Sequence, residues 1–270
     1  MGPITDFHTH AFPDELASEA IDKLRERQRE GAHGPHLAGT TADLRRSMDR
    51  AGIQRSVICS IATAPTQVEP IIKWSTDIQG PRLIPFGSVH PESRSPDDDV
   101  EAIAEAGLRG VKLHPLYQGY DLADPELRPL FELIEEHDLV LVVHCGLDFA
   151  FPPDDERAHP EKVLAIHENF PGIRLVAAHM GGWRRWEVVL DTLAGRKVYL
   201  ETSYTIGYAD DEVLQELIRV HPTDRILFGT DSPWQGQKET LEEVRALFPD
   251  QEDRRLVLCE NACHLLNDTP

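Results

Sequence analysis

No apolar stretch in this chain of 270 residues approaches the roughly 18 that a membrane-spanning helix needs, so no transmembrane segment is expected. No basic, apolar leader with small residues precedes Asp6, and the cytoplasm is the expected compartment. Cations are scarce: 27 Lys and Arg face 47 Asp and Glu, for a net charge of −20. That field disfavours nucleic acid, anionic membrane and polyanionic substrates by repulsion, and leaves small molecules as the expected partners. The four cysteines, Cys59, Cys145, Cys259 and Cys263, form no Cys-x-x-Cys pair, which speaks against a disulfide framework or a zinc knuckle and for buried thiols. Cys259 and Cys263 are spaced to share one helix face, where core filling is the expected role. A Gly-rich phosphate turn, an internal repeat and a low-complexity segment are also missing.

What is present begins with Ile4-Thr5-Asp6-Phe7-His8-Thr9-His10, an apolar run carrying two histidines one residue apart. On a strand such a pair lies on one face and reaches a single point, and neutral imidazole is the commonest metal ligand. Short β-branched or apolar runs recur along the chain, with helical periodicity between them. Strands are expected at Ile4–His10, Ser56–Ile61, Leu83–Val89, Gly110–His114, Val140–Cys145, Leu175–His179, Val198–Thr202 and Ile226–Asp231. Helices are clear at Asp97–Ala106, with acidic residues at its start, and at Pro125–His137, with Leu127, Leu130, Phe131 and Ile134 on one face. Eight βα units in a chain of this length predict one α/β domain over residues 1–270, a (β/α)8 TIM barrel. The stretch Glu30–Thr40 reads as a loop or lid.

In such barrels the catalytic groups sit at the C-terminal strand tips. Here the tips carry His8 and His10, then His144, His179 and Asp231. A catalytic divalent ion needs three or four nitrogen or oxygen donors and an open position, and imidazole with carboxylate suits zinc. The alternative, satisfied polar residues at strand ends, needs five coincidences at once.

The motifs Asp-Phe-His-Thr-His at 6–10, Gly-Val-Lys-Leu-His-Pro at 110–115, Val-His-Cys-Gly at 143–146, His-Met-Gly-Gly at 179–182, Gly-Thr-Asp-Ser-Pro at 229–233 and Glu-Asn-Ala at 260–262 run nearly end to end. Together, and in this order, they resemble the amidohydrolase superfamily, in its amidohydrolase-2 branch of metal-dependent hydrolases and decarboxylases. The resemblance implies that His8, His10, His144 and Asp231 hold a single zinc-like ion, with His179 beside a bound water or a substrate oxygen. Asp231 then has two roles, one oxygen ligating and the other taking a proton from water. It also implies a homodimer. Lys112 sits where some superfamily members carry a carboxylated lysine bridging two metals. Its other readings are a grip on a substrate carboxylate and neutralisation of a buried acid such as Asp6.

His114 is expected to line the pocket or to make a turn, and Tyr117 to touch substrate. Asp6 reads as a support rather than a ligand, and Glu201 depends on an unfixed register. Gln118, Tyr120, Phe149, Phe151, Tyr204, Tyr208 and Trp234 follow strands and either form an aromatic pocket or pack the rim. Arg184 and Arg185 are expected in solvent, or gripping an anion. His33, His36, His90, His137, His159, His167, His221 and His264 read as surface or packing residues. The functional expectation is hydrolysis of a small ester, amide or lactone by metal-activated water. A metal-dependent decarboxylase of a small, possibly aromatic, acid is the alternative. A binding or sensing barrel and a metal-dependent phosphoesterase fit less well.

Overall fold

The computed structural model describes residues 2–27 and 34–268, so His33 and part of the Glu30–Thr40 loop lie outside the described residues. Its strands are β1 (Thr5–Thr9), β2 (Arg55–Cys59), β3 (Leu83–Phe86), β4 (Gly110–Leu113), β5 (Val140–Val143), β6 (Arg174–Ala177), β7 (Tyr199–Glu201) and β8 (Ile226–Leu227). Every neighbouring pair in the ladders β1-β2-β3 and β4 to β8 is parallel. Backbone hydrogen bonds join the ladders at both seams. Gly87 donates to Gly110 (2.9 Å) and Lys112 to Gly87 (2.8 Å), while Phe7 donates to Phe228 and Asp231 to His8 (both 2.7 Å). The result is an α/β barrel with helices between successive strands.

Period-two alternation sorts the strand residues into two packed sets. Phe7, Val57, Phe86, Val142, Val176 and Leu227 pack together, joined by Ala262 and Leu265 of the last helix. Ile58, Val111, Leu141, Val143, Leu175 and Leu200 belong to the larger cluster that includes the helices. The helix Arg128–Glu136 buries Leu130, Phe131 and Ile134, the face its spacing predicts. All four cysteines are free and buried, as expected. Among the described residues, no helix is long and apolar enough to cross a membrane.

The strands are shorter than their apolar runs. His10, His114, His144, His179 and Asp231 all lie beyond their strand ends, because the backbone leaves the extended region there. Residues His179, Met180 and Asp231 have φ of 59°, 49° and 57°, and Gly146 has 92°. A register shift between Asp6 and Thr9 also breaks the alternation of β1. The Asp6 carboxylate accepts from Thr230, Gln237 and the His8 amide, so the supporting role is the one it has.

Two helices line the mouth at the C-terminal strand ends, α1 (Asp14–Arg27), which follows β1, and α3 (Val68–Ile78), which follows β2, while α2 (Thr41–Ala51), capped by Thr40, comes between α1 and β2 in the chain.

Candidate metal centre

Five tip residues meet at the mouth of the barrel. His10 Nε2 lies 2.9 Å and His8 Nε2 3.3 Å from the same Asp231 oxygen. His144 Nδ1 lies 3.0 Å from His179 Nε2, and the ring centres of His8 and His179 are 5.3 Å apart. The ligand atoms of His8, His10 and Asp231 fall within 4.8 Å of one another. His144 is not part of that tight group and reaches it through His179. It falls instead within 4.8 Å of His114 and Asp148.

The outward hydrogen bond of each ring fixes what it presents inward. His10 Nδ1 donates to the Cys59 carbonyl (2.8 Å), His144 Nε2 to the Leu147 carbonyl (2.9 Å) and His179 Nδ1 to the Ser203 carbonyl (3.2 Å). His8 Nδ1 donates to the Glu201 carboxylate at 2.9 Å. The remaining nitrogens carry lone pairs. Burial keeps the rings of His8, His144 and His179 neutral: His8 is driven down to about 4, with Lys112 adding to the effect, and His144 and His179 shift the same way. For Asp231, burial opposes ionisation, but a proton taken up by the cluster goes to an adjoining imidazole before the carboxyl, which stays ionised well below its usual range. Lone pairs thus face a carboxylate oxygen, and each other, at hydrogen-bond distance with no proton between them. A cation relieves that repulsion. The set of imidazole nitrogens and one carboxylate suits a borderline divalent ion, so the residues fit a metal.

Glu201, whose role the sequence left open, is fully buried and is the hub beneath this cluster. Besides His8 it accepts from the amides of His179 and Ser203 (both 2.8 Å) and from the Ser203 hydroxyl (2.7 Å). Burial raises its pKa, but His8, His179 and the Ser203 amide win and bring it to about 2. Gly229 explains part of the Gly-Thr-Asp motif, because a Cβ there would strike the Glu201 carboxylate. Gly146 is tied by geometry as well, since a side chain would strike the Trp183 backbone and its φ is left-handed. No motif marked Ser203, and only its place two residues past Glu201 in a strand exit could have suggested it.

Lys112 is fully buried, and its Nζ lies 3.3 Å from His8 Nε2. It makes no ion pair with Asp6, whose partners are given above, so the reading as a neutraliser of that acid is corrected. His114 combines both expected roles. Its Nδ1 accepts from the Tyr117 amide at 3.5 Å, and its ring stacks on His144 at 3.9 Å while lining the cavity. With Nδ1 accepting, the proton sits on Nε2, which faces Asp148 at 3.7 Å. Burial raises the Asp148 carboxyl to about 6.

A cavity of about 450 Å3 opens over the cluster. Tyr117, Phe149, Tyr204 and Trp234 line it, as does Trp183, which the sequence reading passed over. Phe151 packs on Tyr117 and Tyr208 on Tyr204, so these belong to the rim. Arg184 lies over the Trp183 ring and Arg185 pairs with Glu156, so neither reaches the cavity. His221, buried against the Val198 carbonyl, is a packing residue.

The amidohydrolase family model matches residues 5–267. The chain belongs to the amidohydrolase family. Among curated proteins none matches this amidohydrolase. An uncharacterised TIM-barrel protein from Bordetella bronchiseptica shares 20% identity at a TM-score of 0.78, with 98% of each chain covered. A 5-carboxyvanillate decarboxylase from Novosphingobium aromaticivorans with bound manganese gives 15% identity and a TM-score of 0.73, covering 98% of this chain and 97% of that one. A Pseudomonas putida protein named as a 2-pyrone-4,6-dicarboxylic acid hydrolase gives 18% and 0.68, covering 99% and 98%. At these identities the likeness shows the fold, a TIM barrel. The neighbours' names include both decarboxylases and hydrolases.

Proposed function

We propose that this amidohydrolase is a metal-dependent hydrolase of esters, amides or lactones. His8, His10, His144 and Asp231 hold one divalent ion, zinc by the character of the donors, and His179 stands beside the reacting oxygen. The observation that carries the reading is the convergence of unprotonated imidazole nitrogens on the Asp231 carboxylate, each ring locked from behind by an acceptor. When bound, such an ion lowers the pKa of its water from about 15.7 to about 7. Asp231 is held ionised, and its second oxygen is free to take a proton. Neutral His179 keeps its orientation through Ser203 and accepts at Nε2, which donates only after it has taken a proton. Lys112 and His114 Nε2 offer donors to a substrate oxygen or carboxylate, with Tyr117 against the ring of His114.

A second reading is decarboxylation on the same scaffold. The buried Lys112 ammonium beside His8 supports it, since it offers a charge partner for a substrate carboxylate. The test is direct. Purified protein should carry about one equivalent of divalent metal per chain, and it should incorporate label from heavy-oxygen water into the acid product of an ester or lactone panel. Asp231→Asn should cut kcat/KM by a factor of about 100 or more. Carbon dioxide release without label incorporation selects the decarboxylase. Absence of bound metal, with His8→Ala as active as the parent, overturns both readings.

A further inference from the structure

The cavity has two unlike walls. The loops after β4 to β8 supply the aromatic wall of Tyr117, Phe149, Trp183, Tyr204 and Trp234. α1 and α3 line the rest of the cavity, with aliphatic side chains beside Trp74 and the charged residues of α1. Along α1 the cavity-facing residues form two ridges four residues apart: an apolar one of Leu16, Ala20 and Leu24, and a charged one of Glu19, Lys23 and Arg27. The core-facing side of the helix is a separate pair, Ala17 and Ile21. Leu16 and Ala20 of the apolar ridge are therefore not needed to dock α1 on the barrel, whereas Leu24 also packs on its core. Leu16 is 51% exposed, the one large apolar side chain so exposed among the described residues. Across the cavity, α3 contributes Pro70, Ile71 and Trp74, and Ile61 at the exit of β2 joins them. Neither Leu16 nor Ile71 packs on the core cluster, whereas Leu24 and Trp74 do. A barrel that leaves apolar side chains open on the wall of its own active-site cavity gains free energy when a ligand covers them. The cavity they line is the one that also holds His8, His10 and Asp231, and Lys23 of the charged ridge pairs with Glu19 at an exposed position.

We propose that the slot between α1 and α3 seats an extended aliphatic tail, which makes the substrate an amphiphile. An ester, amide or lactone head lies over His8, His10 and Asp231, and a medium-length chain runs along Leu16, Ala20, Leu24 and Ile71. This deepens the hydrolase reading and rests on it for the nature of the head group. The cavity is of a size that buries most of a ligand of this kind, since working ligand sites span about 300–1,000 Å3.

The experiment has two arms. In the first, metal-loaded protein is assayed with 4-nitrophenyl acetate, butyrate, hexanoate, octanoate and decanoate. Each added methylene should raise kcat/KM by about threefold to fourfold until the slot is filled, the value expected for burying one CH2. In the second arm, the matching free carboxylates are titrated against tryptophan fluorescence, with Trp74 at the slot as the reporter, and their Kd should fall by the same factor. In Ile71→Asp and Leu16→Asp the gain per methylene should drop to less than half in both arms, and Leu16→Met should retain it. A steep chain-length dependence of binding without hydrolysis of any ester keeps the slot and removes the hydrolase. Equal kcat/KM for acetate and octanoate, with equal binding of the two acids, overturns the slot and leaves the hydrolase standing.

Discussion

The histidines of the centre announce themselves in the sequence, but the residue that orients one of them does not. Glu201 is one acid among 47 Asp and Glu, and its value comes from being buried with four donors aimed at it. In Glu201→Gln the amide nitrogen must face at least one of those donors and the charge behind the His8 ring is lost, so the bracket around His8 loosens and its ring becomes less basic. Supporting partners of this kind contribute about 10–100-fold to metal affinity. We therefore expect Glu201→Gln to weaken binding by that factor, read by competition with a chromophoric chelator. Affinity within twofold of the parent would show that Glu201 does not orient the ligand. Asp6 teaches the converse. It stands in the same motif as both histidines, yet a register shift in β1 turns it to Thr230 and Gln237.

Elements decide where ligands sit. The helices and strands follow from periodicity, but the strand exits depend on left-handed residues such as His179 and Asp231, where no glycine gives warning. A second joint is made by His221, which ends the helix Asp211–Val220. It donates from Nε2 to the Val198 carbonyl (3.1 Å) and accepts the Gly195 amide at Nδ1 (3.3 Å), tying that helix to the turn before β7. Burial lowers its pKa from 6.5 to about 4. Between those values the unfolded chain binds the extra proton and the native state does not. Its stabilising contribution is thus complete above 6.5 and is lost as the pH falls towards about 4, at a rate of at most about 1.4 kcal/mol per pH unit. His221→Gln should flatten the fall of the urea midpoint with acidity across this window. An unchanged slope would show that His221 is not the group responsible.

At the scale of the molecule, the centre ties the two ladders together, since His8 and His10 come from β1 and its exit, and Glu201 and Asp231 from the far end of the other sheet. A ligand that binds only the folded barrel stabilises all of it. With free zinc at about 100 times its Kd the gain is about 2.7 kcal/mol. At about 2–4 °C per kcal/mol for a chain near this size, Tm should rise by roughly 5–10 °C over chelator-treated protein. Calorimetry in excess zinc or manganese measures it. A protein that retains metal with no shift in Tm would place the ion outside the fold-spanning cluster.

The sequence by itself determined the eight-unit barrel, the shielding of the thiols and the identity of the histidine and aspartate tips. Those properties follow from local periodicity, from residue chemistry and from the order of motifs along the chain. Only the tertiary structure decided that Glu201 braces His8, that Lys112 reaches the His8 ring rather than Asp6, that His144 joins through His179, and that α1 and α3 line one cavity. The bracing of His8, the reach of Lys112, the place of His144 and the shared lining of one cavity by α1 and α3 depend on register, on backbone handedness at a strand exit, or on contacts between segments far apart in the chain, and none of those quantities is encoded by nearest neighbours.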